Sequence, residues 1–215
     1  MVLVARIACT TVAAMTIAPF AGAQRLPFSE ATLISRRRFL DAGECAELVK
    51  RIDAQRRPSG LADQNGDAGF RTSETCDLSG DDPLVAGITA RLAAYAGLDP
   101  RHAEPLQGQR YAVGQEFKAH TDTFEPDGAD YDLYCSVAGQ RTWTMMVYVN
   151  EPLAGGATRF KQLDKIIQPE TGKLLAWNNL LPDGRPNYAT LHQGMPVRGG
   201  VKYIITSWFR QKPWC

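Results

Sequence analysis

The residues best suited to chemistry are His120 and Asp122, two positions apart, and His192 far downstream. On an extended strand, that two-residue spacing puts both side chains on one face. An imidazole beside a carboxylate makes two corners of a metal site, and His192 can supply a third. Two histidines and one carboxylate leave coordination positions open, an arrangement suited to non-haem Fe(II). The chain has only three histidines. The other, His102, follows Pro100-Arg101 and is expected on a surface loop.

Lys202 stands ten residues after His192. Between them, Gly199-Gly200 is a turn signal, expected to fold the two halves back on each other. On the last strand Lys202, Ile204, Thr206 and Trp208 share a face. A lysine pointing into an apolar cavity is costly unless it meets an anion. The alternative is that Lys202 points to solvent.

These residues need elements to position them. Asp41 and Glu44 form a capping box, and Cys45, Leu48, Val49 and Ile52 make the apolar stripe of a helix that Pro58 ends. A second helix has Asp82 as cap, Pro83 in its first turn, Leu84, Ile88, Leu92 and Tyr95 on one face, and Gly97 as its stop. Arg71-Thr72-Ser73 opens a short extended piece. From Leu106 onward the pattern changes to short strands, clearest at Gln109 to Val113, Thr142 to Val149, Lys173 to Trp177, Tyr188 to His192 and Val201 to Phe209. Thr142 to Val149 is apolar on both faces, as in a central strand. Helices followed by many strands predict a mainly β fold with flanking helices, the core a sandwich or barrel.

Apolar content of 44%, charged content of 22% and a net charge of +1 describe a globular chain with no electrostatic case for nucleic acid. No apolar run in the body of the chain is long enough to span a bilayer. Of the five cysteines, Cys45, Cys76, Cys135 and Cys215 lie in the body and Cys9 near the start. None forms a CxxC pair; the four in the body permit two disulfides without requiring them, and free, mostly buried thiols are the preferred reading. Residues 1–23 carry one arginine, an apolar run and Ala21-Gly22-Ala23. Two readings fit: a secretory signal peptide, which implies a periplasmic or secreted protein, or a loose leader on a cytoplasmic one. Arg36-Arg37-Arg38 reads as a solvated edge. Asp63, Asn65, Asp67 and Glu74 fall at calcium-loop positions, but Ala68 stands where the turn glycine belongs, so calcium is not expected there.

The pattern Tyr111-x-x-Gly114-x-x-Phe117-x-x-His120-x-Asp122, then Gly155-Gly156-Ala157-Thr158-Arg159-Phe160, then His192 with Lys202 and Trp208, resembles the prolyl 4-hydroxylase family of Fe(II)/2-oxoglutarate dioxygenases. The likeness runs from about residue 30 to residue 213. It implies a double-stranded β-helix (jelly roll), with residues 24–105 as a helical support and 106–213 as the dioxygenase core. It implies that His120, Asp122 and His192 bind iron. It further implies that Lys202 pairs with the distal carboxylate of 2-oxoglutarate, that Tyr111 and Thr158 help hold the cosubstrate, and that Trp208 lines its pocket. Arg141 stands where the family has an arginine facing substrate, and L-ascorbate is an expected auxiliary.

The expected reaction is hydroxylation of an aliphatic C–H bond by O2. Its substrate would be a peptidyl proline or an amino-acid-like molecule, and succinate and CO2 would be released. A zinc-dependent hydrolase or a non-catalytic binding module on the same fold are the alternatives. Thr123 to Gln140 is longer than usual for the family and is expected as an exposed loop beside the mouth of the site, where substrate choice is set.

Overall fold

The computed structural model describes residues 18–60, 69–128 and 131–214. Its first half contributes β1 (Gln24–Leu26), β2 (Leu33–Arg36), α1 (Ala42–Gln55), β3 (Arg57–Pro58), β4 (Glu74–Asp77) and α2 (Pro83–Ala96). Next come β5 (Gln107–Tyr111), β6 (Phe117–His120), α3 (Tyr131–Cys135) and β7 (Arg141–Tyr148). The remainder is β8 (Ala154–Gly155), β9 (Thr158–Phe160), β10 (Lys165–Ile167), β11 (Leu174–Asn178), β12 (His192–Gly194), β13 (Val197–Gly199) and β14 (Lys202–Arg210). The calcium-loop positions Asp63, Asn65 and Asp67 lie outside the described residues, as do Cys9, Cys215 and most of the apolar leader.

The strands form an eight-stranded sheet, ordered β1-β2-β11-β7-β14-β5-β4-β3, a four-stranded sheet, β10-β9-β12-β6, and the pair β13-β8. All named pairings are antiparallel. This is a jelly roll with flanking helices. β14 is buried along its whole length, between β5 and β7. Two apolar clusters result. One joins α1 and α2 to the outer face of the large sheet; the other fills the space between the two sheets.

Both long helices form where their caps fall. Asp41 accepts from the Glu44 amide at 2.8 Å, and the Glu44 carboxylate accepts from the Asp41 amide at 2.9 Å. Asp82 accepts from Leu84 and Val85, Pro83 occupies the first turn, and Gly97 closes α2 at φ 67°, a backbone that glycine adopts without strain. The buried face of α2 is Val85, Ile88, Leu92, Ala93 and Ala96, so Leu84 and Tyr95 sit at its margin rather than its centre. Gly108 lets α1 lie directly on β5, because a Cβ there would overlap Ile52.

The structure changes several expectations. Tyr188 to Thr190 is a 3-10 turn, not a strand, because the Asn187 side chain caps it by accepting from the Ala189 amide. Gly199-Gly200 does not join a hairpin: β13 pairs with β8, while β12 and β14 belong to different sheets. The segment Leu33–Arg36 is a paired strand, although Arg37 and Arg38 beyond it are exposed. His102 is half-buried, with Nδ1 2.9 Å from the Arg210 carbonyl. The Thr123 to Gln140 segment contains α3, and Phe124 stacks on Tyr134 at 4.9 Å. Cys45, Cys76 and Cys135 are buried free thiols. Ahead of β1, Phe20 packs against Tyr95 and Trp143 with ring centroids 5.7 and 5.1 Å away. Among the described residues no helix is long and apolar enough to cross a membrane.

Candidate metal centre and its cleft

His120 ends β6, and His192 opens β12 as its direct cross-strand partner, so the register of two neighbouring strands brings the imidazoles together. Their ring centroids are 4.4 Å apart. Asp122 lies just past the end of β6 rather than on it, and still turns to the same side. Its Oδ1 is 3.7 Å from His120 Nε2, and its Oδ2 is 3.8 Å from His192 Nε2. One ligand atom from each of the three lies within 4.8 Å of the others.

The surroundings fit these groups for metal. His120 Nδ1 is 2.8 Å from the Lys118 carbonyl, and His192 Nδ1 is 3.0 Å from the Thr190 carbonyl. Each contact assigns the proton to Nδ1, which leaves Nε2 with a free lone pair toward the partner residues. Burial, then the neighbouring His192, pushes His120 down to about 3, so its imidazole is neutral across the ordinary pH range. Burial alone would raise Asp122, but the two histidines, Arg141 and a 2.6 Å hydrogen bond from Thr144 overcome it and hold the carboxylate below its usual range. Thr144 in turn accepts from Asn179 at 2.8 Å. Two imidazole nitrogens, one carboxylate oxygen and hydrogen bonds orienting each make a donor set suited to a divalent transition metal.

Behind this triad lies a chamber lined by residues of both sheets, including Tyr111, Thr158, Lys202 and Trp208. Lys202 is 1% exposed, and no carboxylate among the described residues is within ion-pair distance of it. Its ammonium sits 4.9 Å from the Tyr111 ring centre and 5.6 Å from that of Tyr148. Burial pulls Lys202 down to about 7. The Tyr111 hydroxyl donates to Gln109 at 2.7 Å, and the Tyr148 hydroxyl to Thr158 at 2.6 Å. An enclosed cation with aromatic walls and nearby hydroxyls is a receptor for an anion. Lys202 thus faces the same chamber as His192 from the opposite sheet, by a different route from the turn expected at Gly199-Gly200.

In front of the triad a wider cleft of about 770 Å³ opens, lined by Arg71, Phe117, Phe124, Arg141, Tyr188 and Trp208 among others. Arg141 is held rather than free: Glu104 accepts from its Nε and Nη2 at 2.7 Å each, and Arg210 donates to the same carboxylate at 2.9 Å. The Arg141 guanidinium lies 4.0 Å from the Trp208 ring centre. Sequence reasoning missed Glu104, Thr144 and Asn179. For Thr144 a signal existed, since it is a polar residue inside a strand that is apolar on both faces.

Residues 106–210 match the 2OG-Fe(II) oxygenase superfamily, and this part of the chain is a domain of that class. Within that class it is prolyl 4-hydroxylase-like. It is 34% identical over 146 residues to prolyl 4-hydroxylase subunit alpha-1 of Gallus gallus, an alignment covering 67% of this chain and 28% of that protein. The chain thus spans little more than a quarter of the curated relatives it matches. Among solved structures, the viral collagen prolyl hydroxylase of Paramecium Bursaria Chlorella virus-1, as its 2OG complex, is 26% identical with a TM-score of 0.66. That match covers 83% of this chain and 94% of the viral one. A Pseudomonas putida prolyl-4-hydroxylase, 18% identical with a TM-score of 0.58 over 84% of this chain and 92% of its own, shares the fold.

Proposed function

We propose that this chain is an Fe(II)- and 2-oxoglutarate-dependent hydroxylase acting on an aliphatic C–H bond of a peptidyl proline or an amino-acid-like substrate. The observation that carries this reading is the meeting, in one chamber, of a two-histidine-one-carboxylate triad and a buried ammonium with no counter-ion among the described residues. His120, Asp122 and His192 would hold a ferrous ion, and the chemistry available with it bound would be oxidative decarboxylation of 2-oxoglutarate to succinate and CO2, coupled to hydroxylation by O2.

The chain's own residues do the positioning. Lys202 receives the distal carboxylate of 2-oxoglutarate, and that anion keeps the ammonium protonated. The hydroxyls of Tyr111 and Thr158 hold the cosubstrate beside it, and Trp208 closes the wall between chamber and cleft. Thr144 fixes the Asp122 carboxylate, and the two carbonyl contacts fix the histidine tautomers. Arg141, braced by Glu104, presents a rigid face to the substrate. The apolar lining keeps water from the reacting centre. Ascorbate, on this reading, serves to keep the iron ferrous. A zinc hydrolase would leave Lys202, Tyr111 and Thr158 with no shared task.

The test is succinate production from 2-oxoglutarate by purified protein loaded with Fe(II), with Zn(II) and metal-free controls. Iron-dependent succinate is expected even without substrate. Zinc-dependent hydrolysis with no succinate would sink the reading.

A further inference from the structure

The cleft in front of the triad carries a second cation with no carboxylate in ion-pair contact among the described residues. Among its charged lining residues, Arg141 is paired with Glu104, Asp77 with Arg57, and Glu125 accepts from the Tyr188 hydroxyl at 2.8 Å. Asp122 faces the two histidines. Arg71 remains. Its donors reach only neutral groups: Nε to Ser73 at 3.2 Å, and Nη2 to Thr75 at 3.1 Å and Gln107 at 2.9 Å. Nη1 has no partner among the described residues, and no carboxylate there lies within ion-pair distance of Arg71.

The position of Arg71 is fixed. Its backbone bridges to Phe117, and its guanidinium lies 4.9 Å from the Phe117 ring centre. Phe117 stacks on His120 with centroids 3.6 Å apart. Arg71 is therefore one aromatic ring away from the metal ligands, on the cleft side, while Lys202 serves the inner chamber. A half-buried guanidinium with three neutral acceptors has already lost much of its water, and an anion would recover that cost. The planar fork suits a carboxylate bound by two donors.

We propose that Arg71 receives a carboxylate of the substrate, so that the cleft selects an acidic molecule and sets its reactive C–H bond beside the triad. The inference rests on the dioxygenase reading of the site and adds to it the charge of the substrate. The carboxylate can be the α-carboxylate of a free amino acid or the acidic side chain of a peptide, and the probes separate these sources.

Metal-free protein is titrated calorimetrically with L-proline and with acetyl-Pro-Glu-amide. Each is matched against a partner lacking the carboxylate, L-prolinamide and acetyl-Pro-Gln-amide. The same four compounds are added to the Fe(II)- and 2-oxoglutarate-loaded enzyme, reading succinate and a hydroxylated product. At least one carboxylate probe should bind 10- to 100-fold tighter than its neutral partner, roughly one charge-assisted hydrogen bond. Arg71→Gln should erase that preference while its melting temperature shows a folded protein, and Arg71→Lys should restore part of it. A response to L-proline alone assigns an α-carboxylate; a response to the peptide alone assigns an acidic side chain. Equal binding of neutral partners, no binding by either carboxylate, or a preference that survives Arg71→Gln overturns the proposal. Wild-type protein that makes no iron-dependent succinate fails the dioxygenase reading instead, and the calorimetric comparison still judges Arg71.

Discussion

Replacing Lys202 with methionine should make the ligand-free protein more stable and, at the same time, nearly unable to bind 2-oxoglutarate. The side chain is 1% exposed, and burial lowers it from 10.5 to about 7. Each tenfold in a proton equilibrium is about 1.4 kcal/mol, so burying this ammonium costs at most ~5 kcal/mol. Local relaxation and water entry reduce that figure, and methionine fills nearly the same volume without charge, so ~2–3 kcal/mol of stabilisation is expected at neutral pH. For a domain of this size that is roughly 5–10 °C in melting temperature. The sign follows from proton counting. Between pH 7 and pH 10.5 the unfolded chain holds a proton that the folded chain has released, so wild-type stability rises with pH across that window. The penalty is fully present below the window and gone above it. Thermal melts of ligand-free wild type and Lys202→Met from pH 6 to pH 10 should therefore converge as pH rises. Adding 2-oxoglutarate with Fe(II) should raise the wild-type melt and not the variant's, and the cosubstrate requirement should increase roughly 30- to 100-fold, the worth of a hydrogen bond to a charged group. A Lys202→Met protein less stable than wild type at neutral pH, with no convergence at high pH and an unchanged 2-oxoglutarate requirement, would refute the account of Lys202 as an uncompensated cation awaiting a diacid.

Three further outcomes are expected. His120→Ala should abolish iron-dependent succinate production and reduce iron content measured on the purified protein; full activity would remove His120 from the centre. Thr144→Val takes from Asp122 its 2.6 Å hydrogen bond and from Asn179 its 2.8 Å acceptor; it should weaken metal binding roughly 10- to 100-fold in a competition titration with a chelator and cost ~1–3 kcal/mol in denaturant unfolding for the buried groups left unpaired. Glu104→Gln leaves two buried guanidinium groups without their shared carboxylate and should cost ~3 kcal/mol in denaturant unfolding, whereas Arg101→Gln, whose partner Asp99 is at the surface, should cost under ~1 kcal/mol.

What could be read from the sequence was whatever local spacing or side-chain type determines. The Asp41–Glu44 box and the Asp82-Pro83 start with Gly97 as stop depend on neighbours within one helix, and both form as expected. The triad and Lys202 were legible only as a set: His120 and Asp122 alone are a weak pair and a lone lysine more often faces solvent, and it was the family resemblance over Tyr111 to Asp122, Gly155 to Phe160 and His192 to Trp208 that singled them out. The turn at Tyr188 was misread because aromatic and β-branched content outweighed the capping power of Asn187. The Gly199-Gly200 turn was misread because glycine reports that the backbone can bend, not which strand it pairs with afterwards. Glu104 had no local signal at all: its partners Arg141 and Arg210 lie 37 and 106 positions away, and only the packing of β7 and β14 brings them to it.

Phe20 has a bearing on how the chain is handled before it folds. It sits three residues ahead of the Ala23 boundary at which a signal peptidase would act, while β1 starts at Gln24. A cut there would spare the first strand but take away the ring covering Trp143 and the carbonyl of Ala21, which accepts from the Tyr95 hydroxyl at 3.1 Å. A trimmed polypeptide would carry a bare indole and an unpaired phenol on the helical side, far in function from the iron centre. Export by that route and the fit of this corner of the molecule are thus in direct competition, and the mass of the N-terminal peptide from the native producer reads which one prevails.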